Sequence, residues 1–63
     1  MPIVRVEMWT GRTHAQKAEL ARLITAAIVS VAHTTAEATI VIFDDVPKEN
    51  WAIGGTLASD ADK

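Results

Sequence analysis

The sequence predicts an α/β (α+β) protein: a single β-α-β unit with parallel strands, followed by a short C-terminal β-hairpin. Three observations carry that expectation. Residues 3–9 (IVRVEMW) alternate with a period of two, residues 14–32 carry apolar side chains at helical spacing, and TIVIFDDV forms a second strand-like run ahead of a Gly-Gly turn. Strand, helix, strand in that order joins two parallel strands through a right-handed crossover.

In the first strand, Val4, Val6 and Met8 point one way, and Ile3, Arg5, Glu7 and Trp9 point the other. TGRT breaks the alternation at Gly11. Thr13 followed by Gln16 has the spacing of a capping box, in which the hydroxyl and the amide satisfy free N–H groups at a helix start. Beyond it, Leu20, Leu23, Ile24, Ala27, Ile28 and Val31 define the apolar face of an amphipathic helix running to about Ala32, with Lys17, Glu19, Arg22 and Thr25 opposite. HTTAEAT holds a second possible cap, Thr34 with Glu37, and is expected to form a short turn. In the second strand, Ile40 and Ile42 fall on one face and Val41 and Phe43 on the other, so both faces are expected to be buried. One helix covers only one face of a two-stranded sheet, so the other is expected to meet another chain. Pro47 ends the strand. ENWAIGGTLAS reads as a hairpin with positive φ at Gly54 and Gly55, and the polar DADK end is expected to fray.

Composition narrows the class. The 63 residues read as one domain, 1–63, and a chain of that length buries only ~60% of its unfolded surface by itself. It has no cysteine and only two histidines, His14 and His33, without metal-ligand spacing, so disulfides and zinc–thiolate sites are excluded. Yet 49% of the residues are hydrophobic, more than one small core requires, which leaves oligomerisation as the route to stability. A net charge of −2 with 22% charged residues supplies no basic stripe for nucleic acid. No apolar run approaches a membrane span, no signal-peptide pattern opens the sequence, and a cytoplasmic location is the default expectation.

Two roles fit Pro2. A proline lacks the N–H that a sheet needs and is tolerated as the first residue of a strand. Removal of Met1 would also leave it with a free secondary amine, whose ordinary pKa of ~7.7–8.0 is closer to neutrality than that of any lysine. Parallel strands place Thr39 and Ile40 at the Pro2 end of the sheet. Arg12 falls past the far end, roughly 30 Å away at about 3.3 Å per residue. Within one chain the two cannot meet; in a two-fold dimer with antiparallel first strands, Arg12 of one subunit approaches Pro2 of the other.

MPI at the start, GRT followed by QK at the helix start, and WAIGG near the end stand in register within 63 residues. Together they resemble the 4-oxalocrotonate tautomerase (2-hydroxymuconate tautomerase) family over nearly the whole chain. The resemblance implies the tautomerase fold, assembled as a homohexamer (a trimer of dimers). It implies an isomerase that interconverts keto and enol forms of 2-hydroxydienoates without metal or organic cofactor. Pro2 is then the general acid/base, held largely uncharged by an apolar pocket. Arg12 matches the family's GR arginine and is expected to clamp a substrate carboxylate with parallel charge-assisted hydrogen bonds. Trp51 matches an aromatic position that walls the pocket. One departure stands out: the family's second arginine, early in strand two, is Ile40 here. Loss of that cation points to weak activity on diacids, or to a substrate with one carboxylate and an apolar tail, of the phenylenolpyruvate kind. A non-catalytic or heteromeric assembly subunit is the alternative. Hydration or dehalogenation ranks last, for want of a carboxylate placed to activate water.

The remaining polar and aromatic residues read as structural. Trp9 is expected at a subunit contact, His14 in solvent, His33 near the helix C-terminus as a favourable partner of the helix dipole. Asp44 and Asp45 face opposite ways and charge a strand end rather than hold a metal.

Overall fold

A computed structural model describes residues 1–61, and its elements follow the expected order: β1 (Ile3–Trp9), α1 (His14–Ala32), β2 (Ile40–Val46), a 3-10 turn (Lys48–Asn50), β3 (Ala52–Ile53), β4 (Thr56–Leu57) and α2 (Ala58–Ala61). β1 and β2 pair in parallel from Ile3↔Ile40 to Trp9↔Val46. The ladder opens with Ile40 N–H donating to the Pro2 carbonyl at 3.0 Å and closes with Thr10 N–H donating to the Val46 carbonyl at 3.3 Å. Pro2 therefore contributes the carbonyl it has and is excused the N–H it lacks.

Thr13 caps α1 as its spacing predicts. Its hydroxyl accepts from Gln16 N–H at 3.1 Å, and the Gln16 amide oxygen accepts from Thr13 N–H at 2.9 Å. The helix ends at His33, which takes the left-handed conformation (φ 56°, ψ 49°) that glycine usually supplies at this position. The following turn is capped by Thr35, not Thr34: its hydroxyl accepts from Ala38 N–H at 3.2 Å, and its carbonyl accepts the Thr39 hydroxyl at 2.8 Å. Two adjacent threonines offer the same chemistry, and only the one three residues ahead of Ala38 N–H reaches it.

Directly paired residues of a parallel ladder share a face, so Val4, Val6 and Met8 lie with Val41, Phe43 and Asp45. This is the face under α1, because Lys17 of the helix pairs with Asp45. Asp44 faces the other way and lies 3.9 Å from Arg5, so the two aspartates do diverge. The helix sits rotated from its expected orientation. Lys17, Ala21 and Thr25 join Leu20, Ile24 and Ile28 in partial burial, whereas Leu23 and Val31 (79% exposed) remain in solvent. The Lys17–Asp45 pair and the small Ala21 bring that side of the helix down onto the sheet. On the exposed flank, Arg22 donates to both Glu19 oxygens at 2.8 and 2.9 Å, which holds the Glu19 carboxyl below its ordinary pKa.

The hairpin follows the prediction closely. Gly54 (φ 59°) and Gly55 (φ 85°) supply the two positive φ angles of a two-residue I′ turn, and Ala58 N–H donates to the Trp51 carbonyl at 2.7 Å to close it. The 3-10 turn ahead of it carries no sequence signal beyond Pro47. Of the residues expected to fray, Asp60 and Ala61 continue a helical turn, because the β4 strand leads straight into α2; Asp62 and Lys63 lie outside the described residues.

Little of this chain is covered by its own elements. Ala58, at 8% exposure, is the buried hydrophobic residue among those described, while Ile3 stands 60% exposed on the open face of the sheet beside Ile40. The accessible surface is 4632 Å², against about 4,000 Å² for a compact protein of this mass. The radius of gyration is 14.9 Å, against about 11 Å for a compact chain of this length. The shape, 45 × 24 × 14 Å, is that of a slab with one face dressed.

Two measurements follow. In urea titrations at fixed protein concentration, Thr13→Ala lowers stability by about 1 kcal/mol through loss of the cap, and His33→Gly raises it by up to about 1 kcal/mol by relieving the left-handed backbone. If a second chain covers the open face, the unfolding midpoint itself rises with protein concentration; a midpoint constant over a hundredfold dilution series would contradict such association.

Candidate active site

The three residues expected to form the site divide between the two ends of the sheet. Pro2 stands at the start of β1, half-buried, with its carbonyl bonded to β2. Its neighbours at that end are Ile3 and Ile40, paired across the ladder and both exposed. Met1 extends past the first ladder bond and is 87% exposed, so it packs on almost nothing.

Arg12 and Trp51 meet at the opposite end. Arg12 lies between the end of β1 and the cap of α1, where Nη1 donates to the Trp9 carbonyl at 3.4 Å. Trp51 follows the 3-10 turn, and its ring packs edge-on against Trp9, with centroids 5.9 Å apart and planes at 75°. Such an aromatic pair contributes about 0.5–1.5 kcal/mol beyond its area. Lys48 Nζ sits 4.8 Å from the Trp9 ring centroid, a cation–π contact. Trp9 thus anchors both site residues from the centre, Arg12 by its backbone and Trp51 by its ring. It does so through contacts within its own chain. Its indole Nε1 is buried without a hydrogen-bond partner. Sequence reasoning missed this role; the one available signal was a tryptophan at the last position of a strand, three residues before the arginine.

About seven residues of strand, roughly 23 Å, separate Pro2 from this cluster. No single chain assembles the three. The cations of the sheet and helix are otherwise engaged: Arg5 with Asp44, Lys17 with Asp45, Arg22 with Glu19. Arg12 forms no ion pair with a described residue, and its guanidinium stays exposed at the rim of an apolar groove of about 570 Å³ floored by Met8, Leu20 and Leu23. A planar cation beside an apolar groove suits an organic carboxylate. His14 is exposed, and His33 serves the helix end through its backbone. No group of His, Asp or Glu among the described residues is arranged to hold a metal ion, and no helix among them is long and apolar enough to cross a membrane.

Comparison with known proteins identifies the fold and the family. Residues 2–61 match the family model described as tautomerase enzyme. A 2-hydroxymuconate tautomerase of Comamonas testosteroni is 35% identical over 60 residues, covering 95% of each chain. Among solved structures, a 4-oxalocrotonate tautomerase isozyme of Methylibium petroleiphilum superposes with a TM-score of 0.90 at 34% identity, covering 98% of this chain and all of its own. A heterohexamer 4-oxalocrotonate tautomerase of Chloroflexus aurantiacus superposes with a TM-score of 0.88 at 33% identity, over 95% of this chain and 97% of that one. The β-α-β unit with its appended hairpin is the tautomerase fold. With its fold, its length and sixty of its residues matched, this chain belongs to the tautomerase enzyme family.

Proposed function

We propose that the protein is a cofactor-independent keto–enol tautomerase whose site is shared between chains, with Pro2 as general acid/base, Arg12 of a neighbouring copy as carboxylate ligand and Trp51 as the pocket wall. The observation that carries this reading is the division of the site: a strand-start proline stands at one end of β1, and Arg12, without an ion-pair partner among the described residues, stands with its aromatic platform at the other. A second copy running antiparallel along β1 brings the two together.

The chemistry starts with loss of Met1, whose exposed side chain makes its removal cheap in packing. Pro2 then carries a secondary amine in a rigid ring. Once a neighbouring copy covers Ile3 and Ile40 and excludes water from this end of the sheet, the ammonium form is disfavoured and the amine serves as a base near neutral pH. It takes the proton of the enol hydroxyl and leaves a conjugated enolate, and the resulting ammonium returns a proton to a carbon of that system to give the ketone. Arg12 holds the carboxylate and draws the developing negative charge toward itself. The Trp51 ring excludes water, which strengthens both effects.

Ile40 refines the substrate class. It faces the Pro2 end of the sheet, where a second cation would be needed to hold a distal carboxylate. A substrate with one carboxylate and an apolar or aromatic body matches this wall better than a diacid does. The extended shape and open face favour a hexamer, as described for the Chloroflexus relative. The same Ile40 favours the second reading, an assembly subunit whose chemistry is supplied by a different chain.

Two experiments decide between them. With Met1-free protein and a monocarboxylate enol such as phenylenolpyruvate, Pro2→Ala lowers kcat/KM by about 10²–10⁴ while leaving assembly intact; unchanged turnover would remove Pro2 from the mechanism, and absence of activity in the parent would favour the second reading. Arg12→Ala alone is similarly impaired, yet refolding Pro2→Ala and Arg12→Ala chains together restores a fraction of sites with both wild-type residues. No recovery on mixing would mean that Pro2 and Arg12 do not act across a chain boundary.

A further inference from the structure

The free edge of β1 carries a charge pattern that fits a second copy of itself. In the parallel ladder the backbone groups of Pro2 and Thr10 bond to β2, so the even-numbered residues of β1 face β2. The odd-numbered residues, Ile3, Arg5, Glu7 and Trp9, turn their N–H and C=O groups outward; the Trp9 carbonyl is accordingly free to accept from Arg12. An unpaired edge seven residues long is a template for another strand.

An antiparallel partner on this edge must pair odd-numbered residues with odd-numbered residues if the hydrogen bonds are to form. Three registers retain most of the strand. Centring on Arg5 sets Arg5 against its own copy, and centring on Glu7 sets two glutamates opposite each other. Centring on Val6 sets Arg5 against Glu7 and Glu7 against Arg5, Ile3 against Trp9, and uses all seven residues. Opposite charges directly across an antiparallel pair stabilise it, and like charges destabilise it.

Glu7 supplies an independent reason. It lies beside Asp44 in the β1–β2 register, so two carboxylates stand together on the open face. Asp44 has Arg5 of its own chain at 3.9 Å, whereas Glu7 has no ion-pair partner in its chain among the described residues. The Val6-centred register delivers Arg5 of the second copy to that vacancy. It also sets both helices on the same side of a continuous four-stranded sheet, since Val4, Val6 and Met8 of both copies share a face.

We infer that Arg5 and Glu7 form a self-complementary pair that fixes the register of β1 against β1 and selects a second copy of this chain, rather than a different subunit, as the neighbour on that edge. The inference rests on the proposed sharing of the site, because the same register carries Pro2 of one copy toward Arg12 of the next. It differs in what it explains: the identity of the neighbour rather than the chemistry.

The test is a charge exchange read by native mass spectrometry and sedimentation velocity. Arg5→Glu alone places glutamates opposite one another, and Glu7→Arg alone places arginines opposite one another. Each is expected to weaken self-assembly by about tenfold or more, since the two-fold repeats the clash twice. Coexpressed, the two chains are complementary in the same register, and particles containing them in equal numbers should form with near-parental stability, more so at low salt than at high. The two chains differ in mass, so subunit composition is read directly, and coexpression keeps the experiment informative even if either variant is unfolded alone. Assembly of both single variants as tightly as the parent would overturn the inference. So would random mixing of the two chains, or failure of the pair to assemble. These outcomes are independent of turnover, so a particle that obeys the charge rule yet is inactive would count against the tautomerase proposal and leave this one standing.

Discussion

The parallel ladder between β1 and β2 determines what this protein can do alone. Because both strands run the same way, their starts coincide at Pro2 and Ile40 and their ends at Trp9 and Val46. The catalytic amine proposed for one end and the carboxylate ligand proposed for the other are held a strand length apart, rigidly. An antiparallel β2 would have carried Trp51 back toward Pro2, but Pro2 and Arg12, at the two ends of β1 itself, would stay a strand length apart. In the proposed reading, that separation is what makes a neighbouring chain part of the chemistry as well as part of the stability.

The energetics point the same way. A sheet of two strands has two faces and two edges, and α1 covers one face. The open face keeps Ile3 and Ile40 in solvent, and the outer flank of α1 keeps Leu23 and Val31 there. At ~25 cal/mol per Å² of apolar surface removed from water, covering several such side chains is a large contribution for a domain of this size. The hairpin and the 3-10 turn add Trp51 and Lys48 around Trp9 but bury little else. The exposed apolar surface and the proposed function therefore point to the same requirement, association, and the ion pairs within the chain serve to orient elements more than to stabilise them.

The Trp9 cluster shows how this chain holds Arg12 and Trp51 together at one end of the sheet. Arg12 sits on a loop, where an exposed side chain would ordinarily sample many rotamers. Its contact with the Trp9 carbonyl, and the packing of Trp51 on the Trp9 ring, tie that loop and the C-terminal arm to the end of a strand. Groups held by secondary structure keep their positions better than groups held by loops alone.

Much of this was legible in the residues themselves. The period-two pattern of IVRVEMW, the Thr13–Gln16 capping box, the Gly54-Gly55 turn and the strand–helix–strand order each depend on contacts within a few residues or on one face of one element, and the structure agrees with all of them. The separation of Pro2 from Arg12 was legible as well, because it is only the length of a strand. The tertiary structure alone decided which flank of α1 meets the sheet, which of Thr34 and Thr35 caps the turn, and that Trp9 joins Arg12 to Trp51. Those outcomes turn on the rotation of a helix about its axis and on contacts between residues dozens of positions apart, such as Lys17 with Asp45, and local periodicity carries no record of either.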